Sequence, residues 1–269
     1  MKRKPNLKWL RGVDWETSSR RDLAMVIAGA CLLMIIGSLV LDLLVSEDER
    51  PMPDFALIDS IPERKQAFFD YMLPFVEEAN DQLLKERDEV KDLMANFERR
   101  GSLSRRDRSR VDELLEDYGF DPVEEYQRQT FLDLLSRVDE IPPSLALSQA
   151  ALESAWGSSR FAREGYNLFG VWCYEPGCGM VPRRRPAGKT YEVKRYETPR
   201  DSFSAYIKNL NTNRYYVGMR KIRRDLRSNE ETLSGHELAM GLNRYSQEGW
   251  DYVAKVQSLI LSNKLERFD

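Results

Sequence analysis

Hydrophobic and polar positions alternate in three distinct ways along this chain. The first is a block: Leu23 to Leu41 carries no charged residue before Asp42 interrupts it. At 1.5 Å per residue, roughly 19 helical residues reach about 28 Å, close to the ~30 Å hydrocarbon core of a bilayer. A cleaved signal has a shorter apolar core of about 7–15 residues and then a small-x-small site. Here Leu43, Leu44 and Val45 lead straight into Ser46-Glu47-Asp48. The pattern predicts an uncleaved anchor over residues 23–45, ahead of a processed signal or a buried core helix.

The second pattern has helical period. Phe68, Phe69, Met72, Phe75 and Val76, then Leu83, Leu84, Val90, Leu93, Met94 and Phe97 recur at that spacing between Ile61 and Arg100, with Pro74 expected to bend or break the run. Lys85 to Asp92 alternates charge sign, which predicts a solvated helix face. Ser102–Asp107 and Asp121–Glu125 are expected helix starts, and Pro142-Pro143 should end the second helix and open the one that carries Glu153. Further starts are Thr198 before Pro199 and the capping-box spacing Ser234 to Glu237, and a last amphipathic helix is expected from Trp250 to Leu265.

The third pattern has period two. Met180–Pro182 and Thr190–Tyr196 flank Pro186-Ala187-Gly188-Lys189, which predicts a β-hairpin with Arg183, Arg184 and Arg185 near its tip. The fold class is therefore α+β, mostly α. The expected segments are a basic tail (1–22), the anchor (23–45), a linker (46–60), a helical extension (61–140) and a C-terminal domain (141–269).

Charge adds a direction. Lys2, Arg3, Lys4, Lys8, Arg11, Arg20 and Arg21 precede the apolar block, so the N-terminus should be cytoplasmic and the body exported, to the periplasm in a bacterium. The net charge of −3 gives no reason to expect a nucleic-acid partner. Cys173 and Cys178 lie in the exported part, where a short-loop disulfide is expected. Two cysteines and a distant His236 cannot build a tetrahedral zinc site, so neither metal nor cofactor is expected.

The candidate chemistry centres on Glu153. A continuing helix would put it roughly 60° from Trp156 and 100° from Leu152, at the margin of an apolar stripe. Partial burial disfavours the carboxylate and keeps an acid protonated near neutrality, able to donate to a leaving oxygen. Position alone still favours the plainer alternative, a surface glutamate on a core helix.

The surrounding motifs reverse that order. Gln149-Ala-Ala-Leu-Glu-Ser-Ala-Trp-Gly157, the Tyr166-Asn167-Leu168-Phe169-Gly170 turn and the Cys173/Cys178 pair together resemble the glucosaminidase domain of bacterial peptidoglycan hydrolases, above all its Bax-type members. The resemblance runs from about Ser144 to Leu265. It implies a lysozyme-like helical lobe with a small β-hairpin lobe, a glycan groove between them, and Glu153 as the general acid. It further implies Tyr216 as a catalytic-cleft phenol and Tyr252 as a recurrent substrate-binding aromatic. Trp156, Tyr166, Trp172 and Glu192 are further substrate-binding candidates by residue type, Asn167 is expected either to orient the turn or to contact an N-acetyl group, and Phe169 is expected to be buried to hold the turn. The family's second glutamate has no counterpart on the first hairpin arm; Glu175, Glu192 and Glu197 are the alternatives, beside the substrate's own acetamido oxygen. The expected function is an anchored endo-β-N-acetylglucosaminidase acting on peptidoglycan strands. Its rivals are a muramidase or lytic transglycosylase on the same polymer and a non-catalytic peptidoglycan-binding scaffold.

Overall fold

The computed structural model describes residues 51–269, so the expected basic tail, the anchor and the first part of the linker lie outside the described residues. Among the described residues no helix is long and apolar enough to cross a membrane. Residues 51–269 form one compact unit.

Helix α1 (Ile61–Arg100) continues for 40 residues through Pro74 without a break. The expected break does not occur because the flanking Met72, Phe75 and Val76 are fully buried, and their packing outweighs one lost N–H···O bond. The first half of α1 shares the main core with Phe55, Leu145, Ala150, Phe203 and Val256. Its second half joins α2 (Arg105–Asp117) and α3 (Arg128–Arg137) around a smaller core of Val90, Leu93, Val111, Leu114, Phe131 and Leu134. The stretch 61–140 is thus no separate body, and the linker ends early: Phe55, in a 3-10 turn, is fully buried.

Two local expectations change. The charged stretch of α1 is solvated on one side only, because Arg87 donates to the carbonyls of Leu135 and Val138 while Glu86 and Glu89 pair with Arg110. Helix α3 starts at Arg128, not near Pro122; Gln127 and Thr130 form its capping box, and Phe120, Val123 and Tyr126 pack as irregular chain against the smaller core.

Helix α4 (Pro143–Ser154) is the hub. It touches α1, α8 (Gly235–Leu238), α9 (Trp250–Ser262) and the terminal 3-10 turn Leu265–Phe268, and every residue from Ser144 to Ala151 is buried. The side chain of the last residue, Asp269, accepts hydrogen bonds from the Ser144 N–H (2.8 Å), the Ser144 hydroxyl (2.6 Å) and the Gly235 N–H (3.0 Å). A carboxylate at these two helix starts meets their unpaired N–H groups and favourable dipoles.

After α5 (Arg160–Gly165) come three short strands: β1 (Trp172–Cys173), β2 (Gly179–Met180) and β3 (Glu192–Lys194). The expected hairpin is present as β2–β3, but its paired arms are shorter, and β1 adds a third strand so that β3 is central. Trp172 faces Val193 and Cys173 faces Glu192 on one side of β3, while Met180 also faces Val193 on the other. Helices α6 (Pro199–Thr212, capped by Thr198 and Asp201), α7 (Val217–Ser228), α8 and α9 complete the helical side.

Candidate active site

Glu153 is the penultimate residue of α4, and the backbone just beyond that helix is unusual. Ala155, Trp156 and Gly157 take φ of 52°, 58° and 71°, three consecutive left-handed residues. That backbone is unfavourable for residues with a Cβ. It is held because the Ser154 hydroxyl accepts the Gly157 N–H (2.8 Å) and donates to the Ala150 carbonyl (2.6 Å), while the Trp156 N–H reaches the Ala151 carbonyl (2.9 Å). At Gly157 a Cβ would come within 2.7 Å of the Phe55 ring. The turn also overturns the helical-wheel relation of Glu153 to Trp156: the indole is set edge-on against Phe68 and Phe69, with the Lys65 ammonium 4.9 Å over it. Trp156 is half-buried and packs on the aromatic core.

Around Glu153 lies a directed chain of hydrogen bonds. The Tyr206 hydroxyl donates to Gln149 Oε1 (2.6 Å), Gln149 Nε2 donates to the Tyr252 hydroxyl (2.8 Å), and Tyr252 donates to Glu153 Oε1 (2.8 Å). Gln149 and Tyr206 are fully buried, and Tyr252 is buried below Tyr245, which stacks on it at 5.3 Å. Tyr216, also buried, tilts against Tyr245 at 5.9 Å. The four phenols of Tyr206, Tyr216, Tyr245 and Tyr252 are held above their ordinary pKa, chiefly by burial and further by the negative field of Glu153. They stay neutral hydrogen-bonding groups.

Burial also raises the pKa of Glu153 itself; the bond from Tyr252 opposes this, and the charge of Glu248 reinforces it. Oε1 is occupied by Tyr252, so a proton on the carboxyl resides on Oε2. That oxygen lies beside exposed Gly170, where an added Cβ would stand 3.8 Å from it. Gly170 has φ 66°, so the turn both requires glycine and keeps the acid's outer oxygen uncovered.

The Asn167–Gly170 turn is thus brought to the acid. Phe169 is buried, stacked on Tyr206 at 4.0 Å, and fixes the turn to α6. Asn167, expected either to orient the turn or to contact an N-acetyl group, holds the turn: Nδ2 donates to the carbonyls of Val171 (2.8 Å) and Lys194 (2.7 Å), and Oδ1 accepts the Val171 N–H (2.9 Å). It ties the turn to β3. Tyr166 is the left-handed cap of α5 and half-buried.

On the sheet, Trp172 is 47% exposed and meets Tyr191 edge-on at 4.5 Å, an open aromatic surface of the kind that stacks on sugar faces. Cys173 and Cys178 form a disulfide. Both oxygens of Glu192 are engaged within the sheet lobe: they accept the N–H groups of Gly177 (3.2 Å) and Gly179 (2.9 Å), which hold its carboxyl below the usual range. Glu175 and Glu197 are exposed.

Gln149, Tyr206, Tyr245 and Glu248 were missed as site residues. Only Gln149 carried a signal, as a buried polar residue one helical turn before Glu153. Among the described residues, no group of three or more His, Cys, Asp or Glu could hold a metal.

Glu153 is a half-buried carboxyl whose pKa is raised, with one oxygen anchored and the other beside Gly170, and a group so placed can donate a proton to a leaving oxygen, as glycoside cleavage requires. Residues 129–265 match the glucosaminidase family model, described as mannosyl-glycoprotein endo-beta-N-acetylglucosaminidase. The chain is 30% identical over 201 residues to Protein bax of Escherichia coli (strain K12), covering 75% of this chain and 70% of that protein. It is also similar to the crystal structure of the catalytic domain of the autolysin Auto from Listeria monocytogenes, at 18% identity and a TM-score of 0.33 over 67% of this chain and 88% of that one. The chain belongs to the glucosaminidase family and is a glycoside hydrolase. The family match begins in α3, earlier than the motifs alone indicated.

Proposed function

We propose that this chain is a membrane-anchored endo-β-N-acetylglucosaminidase that cuts β-1,4 bonds of peptidoglycan strands, with Glu153 as general acid. The observation that carries the reading is the Tyr252–Glu153 bond, which assigns the transferable proton to Oε2 beside Gly170. In the reaction that proton passes to the glycosidic oxygen as its bond to the anomeric carbon breaks. Glu192 is engaged by two backbone N–H groups, which favours the substrate's own acetamido oxygen as the group that bonds to the anomeric carbon. Water then opens that cyclic intermediate, and the Glu153 carboxylate takes the water's proton back. Tyr216 and Trp172 are proposed to contact the sugars from the helical and sheet sides, respectively. The anchor is proposed for residues 23–45, which would confine cutting to wall close to the inner membrane, with the enzyme on its periplasmic face.

Muropeptide analysis of purified sacculi tests the reading. Wild type should yield reducing-end N-acetylglucosamine, and Glu153→Gln should yield almost none. Reducing muramic acid or anhydro ends would make the chain a muramidase or lytic transglycosylase, and equal clearing by both proteins would remove Glu153 as the acid.

A further inference from the structure

A cavity of about 780 Å³ does not include Glu153 in its lining. It lies between the segment around Asp54, helix α5 and the chain just beyond β2. Arg160, Arg163, Arg183 and Arg184 line it against only two carboxylates, Asp54 and Glu164, leaving a surplus of two positive charges in a chain whose net charge is −3. Its size falls in the range of small-molecule sites, about 300–1,000 Å³.

The four arginines divide into two roles. Arg163 is paired with Asp54 (2.9 Å), and Arg160 with Glu164 (3.3 Å); Arg160 also donates to the Val181 carbonyl (3.0 Å) and so ties α5 to the chain leaving β2. These bonds fix the walls. Arg183 and Arg184 have no hydrogen-bond or ion-pair partner among the described residues, although both face a cavity already rich in positive charge. Both residues are exposed, and exposed guanidinium groups beside a shaped recess present planar donor forks suited to carboxylates. Both walls are close in the chain to the chemistry, since α5 begins seven residues after Glu153 and Arg183 follows β2 by three.

We infer that this arginine-lined cavity binds carboxylates of the peptide substituents carried by the glycan strand, holding the polymer through its side branches while Glu153 acts on its backbone. The inference rests on the proposed polymer substrate. It assigns Arg183 and Arg184 to substrate selection, outside the catalytic machinery.

The test uses the full-length protein and solubilised strands of two kinds: strands with their peptides, and strands from which an amidase has removed the peptides and left free lactyl carboxylates. Binding is measured in the Glu153→Gln background, so that turnover does not interfere. Two lost exposed Arg–carboxylate pairs correspond to about tenfold weaker binding, and Arg183→Ala/Arg184→Ala should show that loss on peptide-bearing strands only. Arg183→Lys/Arg184→Lys should recover part of it. Unchanged binding to both strands overturns the inference, as does an equal loss on both, which would trace the effect to lactyl groups or to general charge. A wild-type protein that shows the peptide-dependent binding yet leaves the strands uncut would sink the proposed cutting of peptidoglycan and leave this inference standing.

Discussion

The helical side of the site and the small sheet use carboxylates in opposite ways. On α4, Glu153 has one oxygen bonded to a single phenol and the other open beside Gly170, and burial keeps the group inclined to hold a proton. On β3, Glu192 accepts two backbone N–H groups, which hold it ionised and bind the disulfide loop to the sheet. A glutamate's neighbours decide its protonation: backbone donors favour the anion at Glu192, and partial burial favours the protonated form at Glu153.

The largest blow to this contrast is Glu153→Gln, which should lower kcat by at least about 100-fold on peptidoglycan strands. Its stability should move the other way. Burial raises the folded-state pKa of Glu153 above its unfolded value, so the folded protein holds that proton more tightly and stability falls as pH rises through the folded pKa. The amide has no such loss, and above that window the variant's Tm should equal or exceed that of wild type. An inactive variant with a lower Tm there would point to misfolding.

Tyr252→Phe is the next largest, at about tenfold in kcat, because it removes the group that holds Glu153 in place. The lost bond was lowering the acid's pKa, so the basic limb of the kcat/KM profile should shift to higher pH. A limb that stays put, or moves down, would mean that Tyr252 does not bond to the acid in solution.

Much of the scaffold around this contrast was legible beforehand. Ser104, Thr198 and Ser234 do cap their helices, since a hydroxyl before an apolar-periodic run is local information. The Asn167–Gly170 turn and the hairpin were visible for the same reason. The phenol–amide chain was not, because Gln149, Tyr206 and Tyr252 are separated by 57 and 103 positions and each fits the pattern of an ordinary core residue. Trp156 was misplaced because periodicity assumes that a helix continues, whereas three left-handed residues end it. The role of Glu192 depended on the β3 register, set by strands of only two or three residues that carry too little alternation to read.

Asn167→Ala should act on both sides of the contrast at a smaller scale. Three internal, part-buried hydrogen bonds to the backbone of Val171 and Lys194 vanish, for about 3 kcal/mol of stability. With Gly170 displaced from Oε2, kcat should fall only a few-fold, a separation that thermal melts and initial rates on one preparation can measure.

The smallest expected effect is that of Glu192→Gln. The backbone N–H bonds depress the Glu192 pKa, so its contribution to stability is present above the unfolded value and disappears as pH falls through the folded one. In the variant that acid-side loss should be absent, and at neutral pH one amide oxygen can still accept a glycine N–H. The disulfide loop should loosen while kcat stays within about threefold of wild type. A catalytic carboxylate would instead cost about 100-fold or more. Such a loss, with the melting curve unchanged, would move the second catalytic group onto β3 and end the contrast between the two glutamates.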